Sequence, residues 1–196
     1  MPTETTAPTT MPAAVPLPTS IPTPAPSPTP QLTIQPLPEV PEGEQVSLII
    51  YKADRRLEVW AGELLLAVYP VGLGWAPEGH KQLEGDGKTP EGVYYISMKN
   101  PNSDYYKSMW VSYPNIEDAQ TGYKAGMITQ GELQDITAAI EAGQRPKWTT
   151  SLGGAIALHG GGSGRDWTAG CIALENEVID MVWAVCSPGI PVTILP

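Results

Sequence analysis

Beyond residue 44 the chain alternates short apolar runs with polar turns. Residues 45–52 (QVSLIIYK) and 57–61 (LEVWA) are rich in β-branched and aromatic side chains, and residues 53–56 (ADRR) between them are turn-like. Ala61, Gly62 and Glu63 mark a second tight turn before the apolar run 64–71. Three short strands joined by short turns predict an antiparallel meander. Residues 73–90 form a long glycine-rich, charged loop, and residues 92–98 (GVYYISM) and 109–113 (MWVSY) read as further strands. The pattern then changes period. Residues 115–125 and 129–142 read as helices. In the second, Thr129 is the expected N-cap with Glu132 as its capping-box partner, Leu133, Ile136 and Ile140 share one face, and Gly143 ends the segment. A short apolar strand at 154–158 runs into His159 and a glycine cluster. Residues 176–186 read as a helix with Val178, Met181, Val182 and Val185 on one face, broken by Pro188 and Gly189 before a last strand at 191–195. No internal repeat is evident. The expectation is a mainly β domain with two or three helices.

Composition separates this domain from what precedes it. Of 22 prolines, 13 lie in residues 1–41, a stretch with nine threonines, no glycine and no aromatic residue. Such a segment cannot bury enough apolar surface to offset its conformational entropy. Residues 1–41 are therefore expected to be a disordered Pro/Thr-rich spacer, with polyproline II favoured between Pro22 and Pro30, and residues 42–196 to be one domain. Net charge is −10, and the tail's only charges are Glu4 and Glu39. This balance argues against nucleic acid, whose phosphates need clustered Lys and Arg, and against an anionic membrane surface. No apolar run approaches the ~20 residues of a membrane helix. No basic segment followed by an apolar core opens the chain, so an anchoring leader, if the spacer has one, is expected upstream of Met1.

Two glycine-rich segments invite nucleotide readings that fail. A P-loop ending at Gly87-Lys88-Thr89 needs a glycine where Gln82 stands and a helix where Pro90 stands. The run from Gly160 to Gly164 puts Arg165 at the last glycine of a dinucleotide fingerprint and lacks a βαβ unit. The stronger constellation is HGGGSGRDWTAGCIALEN, residues 159–176. A cysteine nucleophile needs a base to form the thiolate, N–H groups for the oxyanion, and glycines that let a substrate backbone approach. His159, Gly170 and Cys171 supply these types, and a following helix N-terminus is expected to lower the Cys171 pKa. The same residues also fit a buried small-core cysteine and a structural histidine. Asp166 can orient His159 or cap the loop, and Trp167 reads as packing. Cys186 reads as buried and inert. A zinc site from His80, His159, Asp166 and Cys171 lacks helical ligand spacing and is disfavoured.

The segment resembles the YkuD-type L,D-transpeptidase catalytic domain, whose pattern is His-Gly, a glycine-rich loop, then Ser/Thr-His-Gly-Cys. DWTAGCIAL looks like the YafK-like murein transpeptidase branch, as do residues 79–96 (GHKQLEGDGKTPEGVYYI), 103–115 (SDYYKSMWVSYPN) and 151–160 (SLGGAIALHG). The resemblance covers nearly all of residues 45–196. It implies a β-rich sandwich or barrel-like fold, Cys171 as nucleophile and His159 as base. It also implies that the Gly160 main chain orients the imidazole, and that Gly170 and Cys171 N–H groups bind the oxyanion. Two positions depart from the family pattern. Ala169 replaces a common second histidine, and Ala173 a common Arg or Asn, leaving Arg165 or Asn176 as candidate substrate contacts. His80 and Asp166 are further candidates. The implied reaction is cross-linking of peptidoglycan stem peptides through a Cys171 thioester, outside the cytoplasm, with no metal or organic cofactor and with carbapenems as expected inhibitors. Resolution by water, giving a murein hydrolase or an enzyme that detaches wall-linked protein, and a non-catalytic wall-binding module are the alternatives.

Overall fold

A computed structural model describes residues 34–196; the expected polyproline stretch between Pro22 and Pro30, with the rest of residues 1–33, lies outside it. The meander forms as β1 (Val46–Tyr51), β2 (Arg56–Ala61) and β3 (Leu64–Pro70), each antiparallel to the one before. In β1 burial alternates along the strand: Val46, Leu48 and Ile50 point into the core, and the residues between them are only half-buried. Composition groups residues 34–41 with the tail, yet Ile34, Leu37 and Val40 pack against this core. The Tyr69 hydroxyl donates to the Gln35 carbonyl, and the Leu37 N–H to Met181 Sδ.

The second half of the sheet carries the site. β4 (Gly92–Ser103) and β5 (Tyr106–Val111) form a long hairpin, followed by α1 (Ile116–Lys124) and α2 (Gln130–Glu141). Next come β6 (Ala157–His159), β7 (Ile172–Ala173), α3 (Asn176–Val185) and β8 (Pro191–Leu195). The strands form one curled eight-stranded sheet among the described residues, in the order β3-β2-β1-β8-β4-β5-β6-β7. β8 lies between β1 and β4, parallel to the first and antiparallel to the second. The fold is mainly β with three helices, as expected. Both α1 and α2 open on capping boxes, Asn115 with Asp118 and Thr129 with Glu132. A small second cluster, Ala119, Ile128, Ile136 and Leu152, holds these two helices together. No helix among the described residues is long and apolar enough to cross a membrane.

The hairpin runs further than residues 92–98 predict. Residues 99–103 (KNPNS) continue β4 beyond the expected strand, and Pro101 falls where the register with β5 shifts. A bulge tolerates proline because no ladder hydrogen bond is required there.

The loop after β3 is held by buried charges. The Lys52 ammonium donates to the carbonyls of Gly79 and Thr89 and to Glu91, at 2.6–2.9 Å. Lys81, also buried, pairs with Asp86 at 2.9 Å. Breaking one partner of such a pair leaves a buried charge, which is strongly destabilising. The loop is thereby a fixed wall beside the β6–β7 edge.

Candidate active site

His159 ends β6 and Cys171 immediately precedes β7. These two strands are parallel, with Leu158 opposite Ile172 and His159 opposite Ala173. Continuing that register sets Cys171 opposite Ala157. Side chains two apart along a strand share a face, so His159 and Cys171 are diagonal neighbours on one face. Such positions lie about 7–8 Å apart along the backbone, within reach of a long or aromatic side chain. The Cys171 thiol sits against the start of β6, where it donates to the Ala155 carbonyl at 3.4 Å.

His159 is buried, and its Nδ1 lies 2.6 Å from the Gly160 carbonyl. A carbonyl only accepts, so Nδ1 carries the proton and Nε2 is left with a free lone pair. Burial pushes the imidazole pKa below its ordinary value, partly offset by the Gly160 carbonyl. Around the ring, Tyr105 stacks at 4.7 Å and Trp167 approaches edge-on at 5.6 Å.

The thiol behaves opposite to the helix-dipole expectation. Burial pushes the Cys171 pKa up, against smaller lowering by the Ala157 backbone and Lys81. The reason is topological. β7 intervenes between Cys171 and α3, whose first residue is Asn176, so the thiol lies outside the first turn where the dipole acts. Part of the Cys171 residue remains open to solvent, although the sulfur itself is strongly desolvated. At neutral pH Cys171 is therefore a thiol and His159 a neutral imidazole. Cys186 caps the end of α3, buried, with its thiol pushed up to about 12 by desolvation, and the two cysteines are unpaired.

Thr168, which received no role from the sequence, organises the approach to Cys171. Its buried Oγ1 accepts the Gly170 N–H at 3.1 Å and donates to the Cys171 carbonyl at 2.7 Å. The Gly170 N–H is thus committed to Thr168. Gly170 itself has φ +135, and a Cβ there would meet the Lys88 carbonyl at 2.6 Å. Gly74 makes a second close approach, where a Cβ would lie 2.1 Å from the Gly87 carbonyl and 3.1 Å from Gly170 Cα. These glycines let three backbone segments meet directly beside Cys171. Only the Ser/Thr position of the family pattern pointed to Thr168.

The remaining candidates separate. Asp166 pairs with Arg55 at 2.8 Å and accepts the Leu73 N–H at 2.9 Å. His80 has both nitrogens engaged: Nδ1 accepts the Glu91 N–H, and Nε2 lies 3.0 Å from Asp118 Oδ1. It fastens the loop to α1. Asn176 Oδ1 accepts the Gly161 N–H at 3.0 Å and braces the glycine loop. Asp166 and His80 thus bind Arg55 and Asp118 instead of converging on Cys171 as metal ligands. Arg165 is exposed and borders a hollow of about 410 Å³ that Gly161, Gly162, Gly164 and Trp167 complete.

The structure thus sets a thiol and a neutral imidazole on neighbouring strands of a curled sheet, the two residue types that cysteine-based acyl transfer requires. Residues 45–194 match the family model YkuD, the L,D-transpeptidase catalytic domain, and the chain belongs to this family. Among curated relatives, YafK of Escherichia coli K12, an L,D-transpeptidase candidate, is 35% identical over 88 residues, covering 42% of this chain and 36% of YafK. YcfS, a second candidate from that strain, is 28% identical over 169 residues, covering 84% of this chain and 48% of YcfS. The chain thus spans less than half the length of these relatives. Among solved structures, the helical cell shape determining protein Pgp2 of Campylobacter jejuni (K307A mutant) superposes with TM-score 0.55 at 24% identity, covering 81% of this chain and 49% of Pgp2. Bd1075 of Bdellovibrio bacteriovorus gives TM-score 0.52 at 20% identity, covering 82% of this chain and 52% of Bd1075. Both share the fold.

Proposed function

We propose that the domain is a peptidoglycan L,D-transpeptidase acting outside the cytoplasm, with Cys171 as nucleophile and His159 as base. The observation that carries this reading is the contact of His159 Nδ1 with the Gly160 carbonyl, which leaves Nε2 as the basic atom of a side chain on the sheet face shared with Cys171. Because the thiol pKa is raised and the imidazole pKa lowered, proton transfer accompanies attack and no resting ion pair precedes it. Nε2 takes the thiol proton as sulfur bonds to the stem-peptide carbonyl carbon. The carbon–nitrogen bond then breaks, and the departing D-residue amine takes the proton from the imidazolium. An acceptor amine attacks the thioester and gives its proton to Nε2. The leaving thiolate recovers that proton, and the cross-link is complete.

With the Gly170 N–H held by Thr168, the Cys171 N–H is the donor left to the oxyanion. Arg165 is the exposed cation suited to a stem carboxylate, at the hollow beside Trp167. Of the four candidate substrate contacts, it is the one we retain. Incubation with isolated peptidoglycan followed by muropeptide mass spectrometry tests the function. New cross-links absent from Cys171→Ala are expected, whereas trimmed stems without cross-links would assign the hydrolytic reaction instead. A strained β-lactam such as a carbapenem should leave one covalent adduct on the wild type and none on Cys171→Ala. An adduct that persists on Cys171→Ala would refute the assignment of the nucleophile.

A further inference from the structure

We propose that Tyr105 is a positioning residue for the proton transfer: its ring fixes the His159 imidazole and stabilises the imidazolium formed when Nε2 takes the thiol proton. The inference rests on reading His159 as the base. The two rings lie 4.7 Å apart at an interplanar angle of 28°, which presents the Tyr105 π-face to the imidazole. Trp167 closes a third side, edge-on to both rings, and its indole N–H is fastened to the Gly162 carbonyl at 3.1 Å.

The site needs such a contact because no carboxylate bonds to the His159 ring among the described residues. Nδ1 goes to a neutral carbonyl, Asp166 to Arg55, Glu175 to the Ser163 N–H and hydroxyl, and Asn176 to the Gly161 N–H. On the hairpin Lys107 is paired with Asp180 of α3. Arg165 on the glycine loop and Glu177 on α3 are exposed, and Cys171 is the titratable group from the β7 side. Beyond the Gly160 carbonyl on Nδ1, a buried cation forming amid these groups has the aromatic rings as its favourable neighbours.

The hairpin tip is shaped to deliver this ring. Tyr106 holds φ +73, an uncommon conformation for a bulky residue. Tyr105 and Tyr106 diverge, the first to His159 and the second to α3, where its hydroxyl donates to Asp180 at 2.8 Å. Lys107 binds the same carboxylate. The tip is thus anchored on one side while Tyr105 covers the imidazole on the other. An observed backbone strain with a matching contact is the kind of feature that accompanies function.

The test keeps ring shape and changes ring charge. Phenylalanine and pentafluorophenylalanine are each placed at position 105 in the full chain, with thermal unfolding to verify equal folding. Two readouts follow: the NMR titration of His159, assigned with His159→Asn, and the pH dependence of Cys171 alkylation by iodoacetamide. Phenylalanine should leave both near wild type. The fluorinated ring, whose quadrupole is reversed, should lower the His159 pKa by about one unit and slow alkylation about 3- to 30-fold. A purely structural ring would leave the titration unmoved, so equal values for the two rings overturn the proposal. His159→Ala separates the two failures. If it leaves alkylation unchanged, the reading of His159 as base falls; if it slows alkylation while the two rings remain equal, only the role of Tyr105 falls.

Discussion

Replacing Thr168 by valine isolates the contribution of one hydroxyl, because valine keeps the β-branched shape and nearly the volume. The change deletes two hydrogen bonds, from the Gly170 N–H and to the Cys171 carbonyl. Each contributes about 0.5–1.5 kcal/mol net, and the buried Gly170 N–H, left without a partner, adds about 1–3 kcal/mol of unrecovered desolvation. With some relaxation of the turn, a loss of about 2–4 kcal/mol is expected, or roughly 5–15 °C in Tm for a domain of this size. The turn also sets the Cys171 sulfur, and a displacement of ~1 Å can lower acyl transfer about 10²-fold. Urea unfolding followed by tryptophan fluorescence measures the first effect, and adduct formation with a carbapenem the second. Thr168→Ser keeps the hydroxyl and should sit much closer to wild type in both. A valine variant within about 0.5 kcal/mol of wild type, or a serine variant as impaired as valine, would refute the reasoning.

Three further outcomes are expected. Because burial lowers the His159 pKa, Nε2 stays basic below pH 6.5, and acylation should fall only as pH drops through the lowered value; an acid limb above 6.5 would contradict this. The same depression means that the unfolded chain takes up the proton first on acidification. This stability contribution is therefore complete above the unfolded value and is lost as pH falls through the folded one. Asp166→Ala should cost about 1–3 kcal/mol by unpairing the Leu73 N–H while leaving the His159 NMR titration in place, and a shifted titration would show that Asp166 does reach the imidazole. Gly74→Ala forces a Cβ to within 2.1 Å of the Gly87 carbonyl, backbone against backbone, and should cost at least about 1–3 kcal/mol. An unchanged denaturation midpoint would show that the two segments separate freely.

Residue type, turn signals and one capping box made most of the architecture legible. The strands β1 to β3 follow from β-branched and aromatic runs set between short turns, and α2 from an apolar face and cap that the chain states locally. The two-residue strand β7 was not legible, since no pattern of two residues has a period. That omission carried into the electrostatics. Without β7, Cys171 seemed to lead straight into α3, and its pKa was expected to fall when burial in fact raises it. The long-range partners were hidden for the same kind of reason. Asp166 meets Arg55 from 111 positions away, and Tyr105 reaches His159 from the distant tip of the β4–β5 hairpin. Residue types within one short segment suggested the chemistry, but the supporting contacts come from segments that meet only after the sheet curls.

The placement of β8 has a consequence for how the molecule comes into being. The strand that follows α3 is the one that joins β1 to β4, so the meander and the site-bearing half share no ladder until residues 191–195 are available. A nascent chain that lacks them carries two open seams in place of one continuous sheet. Closure must therefore wait for the segment to emerge from the ribosome, or from any channel the chain is threaded through. Until then the strands that carry His159 and Cys171 have no finished sheet to rest on.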